Sequence, residues 1–376
     1  MDRPVRRNVV VSAVNIRKGG TLTILRACLG YLATREDLRV TALVHRRALA
    51  DFPGIDYIEL PHTIESWRKR LRCEYREMYA ISRKLAPVDL WFSLHDTTPR
   101  VEARRQAVYC HTSFPFLKTR WRDWRMDWKI PMFAHFTKYA YRHRVSANSY
   151  LVVQQNWFRE GLAHLTRFPK ERIVVAPPAV RTVEADAGLS LSTPPLFLYP
   201  STPDCHKNFE VVCRAAERLE QQLGPERFRI CFTCRGDENR YARWLKKRWG
   251  HVASLDFHGL MPREELDAVY QEASCLLFPS RIETWGLPVS EFKPSGRPMI
   301  LADLPYAHES AAGASCVAFF PPDDEKALMQ RIIEVICGQF INFAAVSPQE
   351  AAPPRADDWQ QLFEILLRHD EDTAAR

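Results

Sequence analysis

No stretch of this 376-residue chain approaches the roughly 18–20 consecutive apolar residues of a membrane-spanning helix, so no span is expected. The N-terminus is basic, but the apolar run behind it, residues 9–14, is too short for a secretory signal. A cytoplasmic protein is therefore expected. Neither G-x-G-x-x-G nor G-x4-G-K-[ST] occurs, which argues against Rossmann dehydrogenases and P-loop NTPases. The ten cysteines are scattered, with no framework of even spacing. Cys231 and Cys234 make one C-x-x-C, but 228–234 reads as a strand and no second pair completes a zinc set. Buried, reduced thiols are the expectation, with metal or redox use the alternative. The D-x-D-like triplet Asp370-Glu-Asp372 lies in a polar tail, and no metal site is expected. Solenoid-length repeats and low-complexity tracts are lacking too.

What is present is ordinary in amount and uneven in distribution. The apolar content is 46%, enough for sizeable cores, and the length favours two domains. Net charge is +8 overall. Residues 1–180 carry 32 Lys and Arg against 16 Asp and Glu, a net of +16, whereas 181–376 carry 21 against 29, a net of −8. The basic half implies a polyanionic partner: nucleic acid, a phosphorylated ligand or an anionic lipid surface.

Near-continuous apolar runs alternate with helical patterns. Strands are expected near 8–14, 40–45, 89–94, 107–110 and 172–176, then near 195–200, 228–234, 254–258, 275–279 and 298–302. Alternation of this kind means α/β, here twice, as two Rossmann-like doubly wound domains. The Pro-rich, aperiodic stretch 177–195 divides them into 1–188 and 189–356. A last amphipathic helix, 357–370, is expected to pack back on the first domain. Such sheets bind ligands at the carboxyl ends of their strands, which places the expected site in a cleft between the two domains.

Several segments fall at those strand ends. In 281–291, Glu283 and Glu291 are separated by seven residues that include Gly286, Leu287 and Pro288. Gly and Pro make this a strand–loop–helix rather than one helix, and direct both carboxylates toward one site. On spacing alone, a capping carboxylate and a solvated one remain the alternative. In 199–208, Ser201, Thr202 and Lys207 precede Asn208, a candidate N-cap, so that an anion would meet helix-start amides and the Lys207 ammonium. His111 follows an apolar strand; such a histidine is either structural or part of a site. Gly19 and Gly20 open a helix after the first strand and make a candidate anion cradle. Trp121, Trp124 and Trp128 recur at helical spacing with Arg122 and Arg125 between them. This stripe either packs on the core or lies on an anionic membrane, with Arg at the phosphates.

The segment Glu283-Thr-Trp-Gly286-Leu287-Pro-Val-Ser-Glu291 resembles the E-x7-E motif of retaining GT-B glycosyltransferases, family GT4. Gly296-Arg-Pro-Met-Ile-Leu-Ala-Asp303-Leu-Pro is similar to that family's G-x-P-V-I-x-S-D-x-P. The resemblance is strong from about residue 195 to 321 and around His111. It implies that Glu283 contacts the donor sugar and that Glu291 binds the ribose. Lys207 would hold the diphosphate, in the "HKN" branch of the family, with Thr202 standing where an Arg is usual. Ser201, Gly286, Leu287, Gly19 and Gly20 would line the donor, and His111 the sugar site. Trp121, Trp124, Trp128, Arg122 and Arg125 would face membrane or acceptor. Pro294, three residues past Glu291, departs from the pattern and is expected to end that helix early.

The implied protein is a metal-independent retaining hexosyltransferase with no cofactor. It would use a nucleotide-diphosphate sugar, GDP-linked ahead of UDP-linked, and act on a glycan or lipid-linked glycan in surface polysaccharide biosynthesis. It would sit in the cytoplasm, peripheral on the inner membrane face, with no nucleic-acid partner. The alternatives are a GT-B-fold sugar-nucleotide epimerase or a phosphorylase, or a non-catalytic binder of nucleic acid or another polyanion.

Overall fold

The computed structural model describes residues 6–179 and 192–368. The expected boundary at 188/189, the end of the last expected helix and the Asp370-Glu-Asp372 triplet lie outside the described residues.

The chain forms two compact units. One comprises 1–112, 136–179 and 351–376; the other comprises 113–135 and 180–350. The first contains a seven-stranded parallel sheet of β1 (Arg7–Ala13), β2 (Leu38–Val44), β3 (Ile55–Glu59), β4 (Leu90–Ser93), β5 (Arg105–Tyr109), β6 (Tyr150–Val153) and β7 (Ile173–Val175). Its order is β3-β2-β1-β4-β5-β6-β7. The second contains a six-stranded parallel sheet of β8 (Leu196–Tyr199), β9 (Arg229–Phe232), β10 (Leu255–Phe257), β11 (Cys275–Phe278), β12 (Met299–Ala302) and β13 (Val317–Phe320), in the order β10-β9-β8-β11-β12-β13. In both, order reverses beside the first strand: between β1 and β4, and between β8 and β11. These are the topological switch points at which open α/β sheets take their ligands.

The apolar runs explain the strands. Val9, Val10 and Val11 of β1, and Leu276, Leu277 and Phe278 of β11, are essentially inaccessible, as strands covered on both faces require. Three strands escaped the sequence reading. β3 is an edge strand with a mixed pattern, while β6 (YLVV) and β13 (VAFF) are apolar tetrads too short for a period to declare itself. The helix Trp359–Leu366, N-capped by the Asp358 carboxylate (2.8 Å from the Gln361 amide), buries Leu362, Phe363 and Leu366 in the core of the first unit. Phe363 meets Phe92 edge-on at 5.7 Å and stacks near Tyr31 at 5.8 Å.

Segment 113–135 was expected in the first domain and instead belongs to the second unit. The reason is a buried charge. Asp123 is 2% exposed and accepts from Arg281 Nη2 at 2.6 Å, and Arg281 also donates to the Lys118 carbonyl at 3.3 Å. Removing either partner of such a pair costs roughly 3–5 kcal/mol, because the other is left buried and unpaired. Arg120 donates to Asn208 Oδ1 at 3.3 Å and pairs with Asp323, fastening the same segment.

Candidate functional site

In the second unit the loops that leave β8 and β11 flank the switch point and are sewn together. The Tyr199 hydroxyl donates to the Lys207 carbonyl at 2.6 Å, and the Arg281 amide to the His206 carbonyl at 2.8 Å. Asn208 takes the left-handed conformation (φ 60) at the start of helix Phe209–Leu223, but its side chain does not cap that helix. It is fully buried instead, and donates to the carbonyls of Pro279 at 3.3 Å and Pro322 at 2.7 Å. This corrects the expected capping role.

The helix start is also not vacant. The Glu210 amide donates to the Tyr241 hydroxyl at 3.3 Å. The buried Glu210 carboxylate, 3.4 Å from Arg122 Nη1, supplies the negative charge that the helix end favours. The helix terminus thus already has a carboxylate beside it.

Out of the sewn loops project Lys207 and Glu283, with Lys207 Nζ donating to Glu283 Oε1 at 2.5 Å. Their side chains are 16% and 15% exposed, so water or a ligand reaches the pair. Burial, together with the nearby Lys207 and Arg281 charges, holds His206 well below the usual imidazole range.

Gly286 has φ 89, and an added Cβ there would come 3.3 Å from Ser310 Oγ; only glycine makes this turn at no strain. The helix Leu287–Phe292 follows, with Pro288 in its first turn. It ends at Phe292 and passes into a 3₁₀ turn, Lys293–Ser295, as Pro294 demands.

Glu291 does not share partners with Glu283. Its two oxygens are held by Arg263 Nη1 at 2.8 Å and by the Tyr270 hydroxyl at 3.0 Å, two residues the sequence reading missed. They lie on the helix Arg263–Glu272, and no spacing rule links that helix to Glu291. The Ser201 amide donates to Thr233 Oγ1 at 2.9 Å, and the Thr202 hydroxyl to Asp204 at 2.9 Å. Thr202 thus closes a turn and adds no charge.

In the first unit, Gly19 has φ 71 and opens the helix Gly19–Ala33, whereas Gly20 is already helical. His111, just past β5, stacks on Tyr109 with centroids 4.5 Å apart. Neither of its buried ring nitrogens has a hydrogen-bond partner among the described residues, and burial lowers its pKa, so the ring is neutral. Its loop is organised by Asp96, which accepts from the amides of His111 at 2.5 Å and Thr112 at 3.0 Å and from the Tyr141 hydroxyl at 2.8 Å. Asp96 itself has φ 68, left-handed backbone that is uncommon for a residue other than glycine. It too was missed, although it lies three residues past strand β4, next to His95.

Trp121, Trp124 and Trp128 are 73%, 51% and 54% exposed, so they are not core. Arg125 stacks over Trp121 at 5.1 Å, while Arg122, also exposed, reaches Glu210 at 3.4 Å and lies over Trp244 at 5.4 Å. Two clusters bring metal-ligating atoms within 4.8 Å of one another: His62, Cys73 and Glu77, and Cys231, Asp256 and His258. Neither includes a residue of the Lys207–Glu283 site, and burial pushes the Cys73, Cys231 and Cys234 thiols up to about 12.

Residues 194–337 match the family described as glycosyl transferases group 1, a span that includes Lys207, Glu283 and Glu291. The match lies within the second domain and spans less than half of the chain. One relative is the O-antigen chain mannosyltransferase B of Escherichia coli, 26% identical over 137 residues. That match covers 36% of this chain and about a third (35%) of the relative's length. Solved structures share the fold over nearly the whole chain. The lipopolysaccharide outer core galactosyltransferase WaaB has a TM-score of 0.60 at 12% identity, covering 91% of this chain and 92% of its own. Anabaena HepE in complex with UDP and glucose has a TM-score of 0.62 at 11% identity, with 95% of each chain covered. A sucrose-phosphate synthase from Thermosynechococcus elongatus has 0.63 at 14% identity, covering 88% and 90%. The two domains thus make up a GT-B fold, as the E-x7-E motif led one to expect.

Proposed function

We propose that the protein transfers a hexose, with retention, from a nucleotide-diphosphate sugar to a lipid-linked glycan in O-antigen-type polysaccharide synthesis. The observation that carries this reading is the Lys207–Glu283 pair at the β8/β11 switch point of a group 1 domain. In this structure each charge satisfies the other. A donor replaces both halves: its diphosphate takes the ammonium, and its sugar hydroxyls donate to the freed carboxylate. Glu291, already oriented by Arg263 and Tyr270, holds the ribose.

The bond from the anomeric carbon to the phosphate oxygen breaks while one to the acceptor oxygen forms on the same face. The acceptor proton passes to the departing phosphate, and Lys207 stabilises the charge left there. No step calls on a protein nucleophile or a metal ion.

Exposed Trp121 and Trp124, with Arg125, supply the membrane contact of a peripheral enzyme on the cytoplasmic face; no described helix is long and apolar enough to cross a membrane. The name of the Escherichia coli relative makes mannose the sugar to test first.

The test is a panel of GDP-, UDP- and dTDP-sugars, scored by thermal stabilisation, slow donor hydrolysis and the anomeric configuration of the transferred sugar. Hydrolysis of one donor that persists in chelator supports the reading. Indifference to every nucleotide sugar, with tight salt-sensitive DNA binding, sinks it.

A further inference from the structure

Beside the Lys207 loop, the second unit carries a cavity that the donor reading leaves unused. It has a volume of about 300 Å³, and Asp127, Trp128, Asp204, Asn239, Arg240 and Tyr241 line it. That volume is at the lower end of small-ligand sites, room for one ring-sized group.

Its walls are fixed in advance. The Asp127 amide donates to the carbonyl of Asp123, the residue locked to Arg281. The Asp204 carbonyl accepts from the Lys207 amide at 2.8 Å. Asn239 caps the helix Arg240–Trp249 through the Ala242 amide at 2.8 Å and donates to the Pro203 carbonyl at 2.8 Å.

The lining chemistry selects among ligands. Asp204 Oδ2 accepts from Thr202, and Asp127 Oδ1 accepts from the Lys129 amide at 3.1 Å, which leaves the second oxygen of each carboxylate available. Two carboxylates repel a phosphate or a nucleotide but accept strongly from hydroxyls. Trp128, 54% exposed, offers an aromatic face to a flat ring of C–H bonds, and the exposed Arg240 donates to ring or hydroxyl oxygens. A sugar combines these needs: many hydroxyls, no charge, and an apolar face. Asp204 stands three residues before Lys207, so the cavity and the donor pair draw on one loop.

We infer that this cavity is a subsite for a neutral pyranose of the acceptor glycan, with Trp128 as its stacking platform and Asp127 and Asp204 receiving its hydroxyls. Its role as an acceptor site rests on the transferase reading, whereas its binding of sugar does not.

The experiment is a saturation-transfer NMR titration of the full chain with methyl α-mannoside, methyl α-glucoside and methyl α-galactoside in the absence of any nucleotide. At least one glycoside binds, a saturating amount of GDP leaves it bound, and Trp128→Ala and Asp204→Asn each weaken it at least tenfold. Should Trp128→Ala fail to fold, judged by its melting curve, the shape-preserving Asp204→Asn decides. No binding of any glycoside to the wild type, displacement by GDP, or wild-type affinity in the folded variants overturns the proposal. Failure of the transferase reading shows separately, in the nucleotide-sugar panel.

Discussion

The two domains have the same topology at their centres and use it differently. Each is a parallel sheet whose strand order turns beside its first strand. In the first, the polar groups past the switch point are spent on the domain itself. Asp96 fixes the backbone of His111 and Thr112, and His95 is bonded to Ser12 at 3.0 Å and Thr97 at 2.9 Å. What it presents is shape and a neutral imidazole. In the second, the loops are also sewn shut, but two charges are left over, and they face each other at 2.5 Å. Both charges are already largely withdrawn from water, so a ligand that offers each of them a partner can take the place of the pair, whereas loss of one charge alone leaves the other uncompensated. The net charges run the other way, +16 in the first half of the sequence and −8 in the second. Summed charge describes a surface and its long-range field, not where the chemistry sits.

Substitutions break or sharpen this comparison. The largest effect is expected at Asp123→Ala, which strands the buried Arg281 guanidinium. Chemical unfolding should show the second domain weakened by about 3–5 kcal/mol with the first unmoved; equal loss in both would show that the segment 113–135 does not belong to one domain. Next, Glu283→Gln and Lys207→Ala should each lower turnover roughly ten- to a hundredfold, since a charged hydrogen bond contributes about 1.5–3 kcal/mol. Wild-type rates in both variants would remove the site from the β8/β11 switch point.

In the first domain the signs reverse. Asp96→Ala should cost about 1–3 kcal/mol of stability, with Asp96→Asn milder, because Asn tolerates left-handed backbone. Urea midpoints measure the difference, and a variant stable as wild type would show that Asp96 organises nothing.

His95 gives the first domain a pH signature. Burial lowers its pKa from 6.5 to about 4, so its contribution is complete above pH 6.5 and is lost as pH falls from there toward about 4. Stability measured across that window should decline, and His95→Gln should flatten the slope. An unchanged slope would mean that other groups set it. The smallest effect on folding belongs to Trp121→Ser with Trp124→Ser, within about 0.5 kcal/mol, accompanied by loss of binding to anionic vesicles. Unfolding would return these side chains to the core.

Much of the fold was legible because parallel strands covered on both faces must be apolar throughout. Runs such as Val9–Val11 and Leu276–Phe278 announce themselves, whereas the tetrads of β6 and β13 have no period to read. Glu283, Gly286 and Lys207 were legible for a related reason. Each sits a few residues past such a strand, and strand ends are where these sheets bind. Asp96 had the same signal and was passed over beside a conspicuous histidine loop. Arg263 and Tyr270 had none, since their meaning comes only from Glu291.

The sequence by itself determined the two α/β halves, the strand-end positions of Lys207 and Glu283, and the stop at Pro294, because each follows from short-range periodicity or backbone chemistry. Tertiary structure alone decided which charges meet. Lys207 found Glu283 76 positions away, Asp123 found Arg281 158 away, and Asn208 gave up its cap to bind two distant carbonyls. Local sequence fixes the direction in which a chain runs. Where a buried charge finds its partner depends on which loops the sheet order brings side by side.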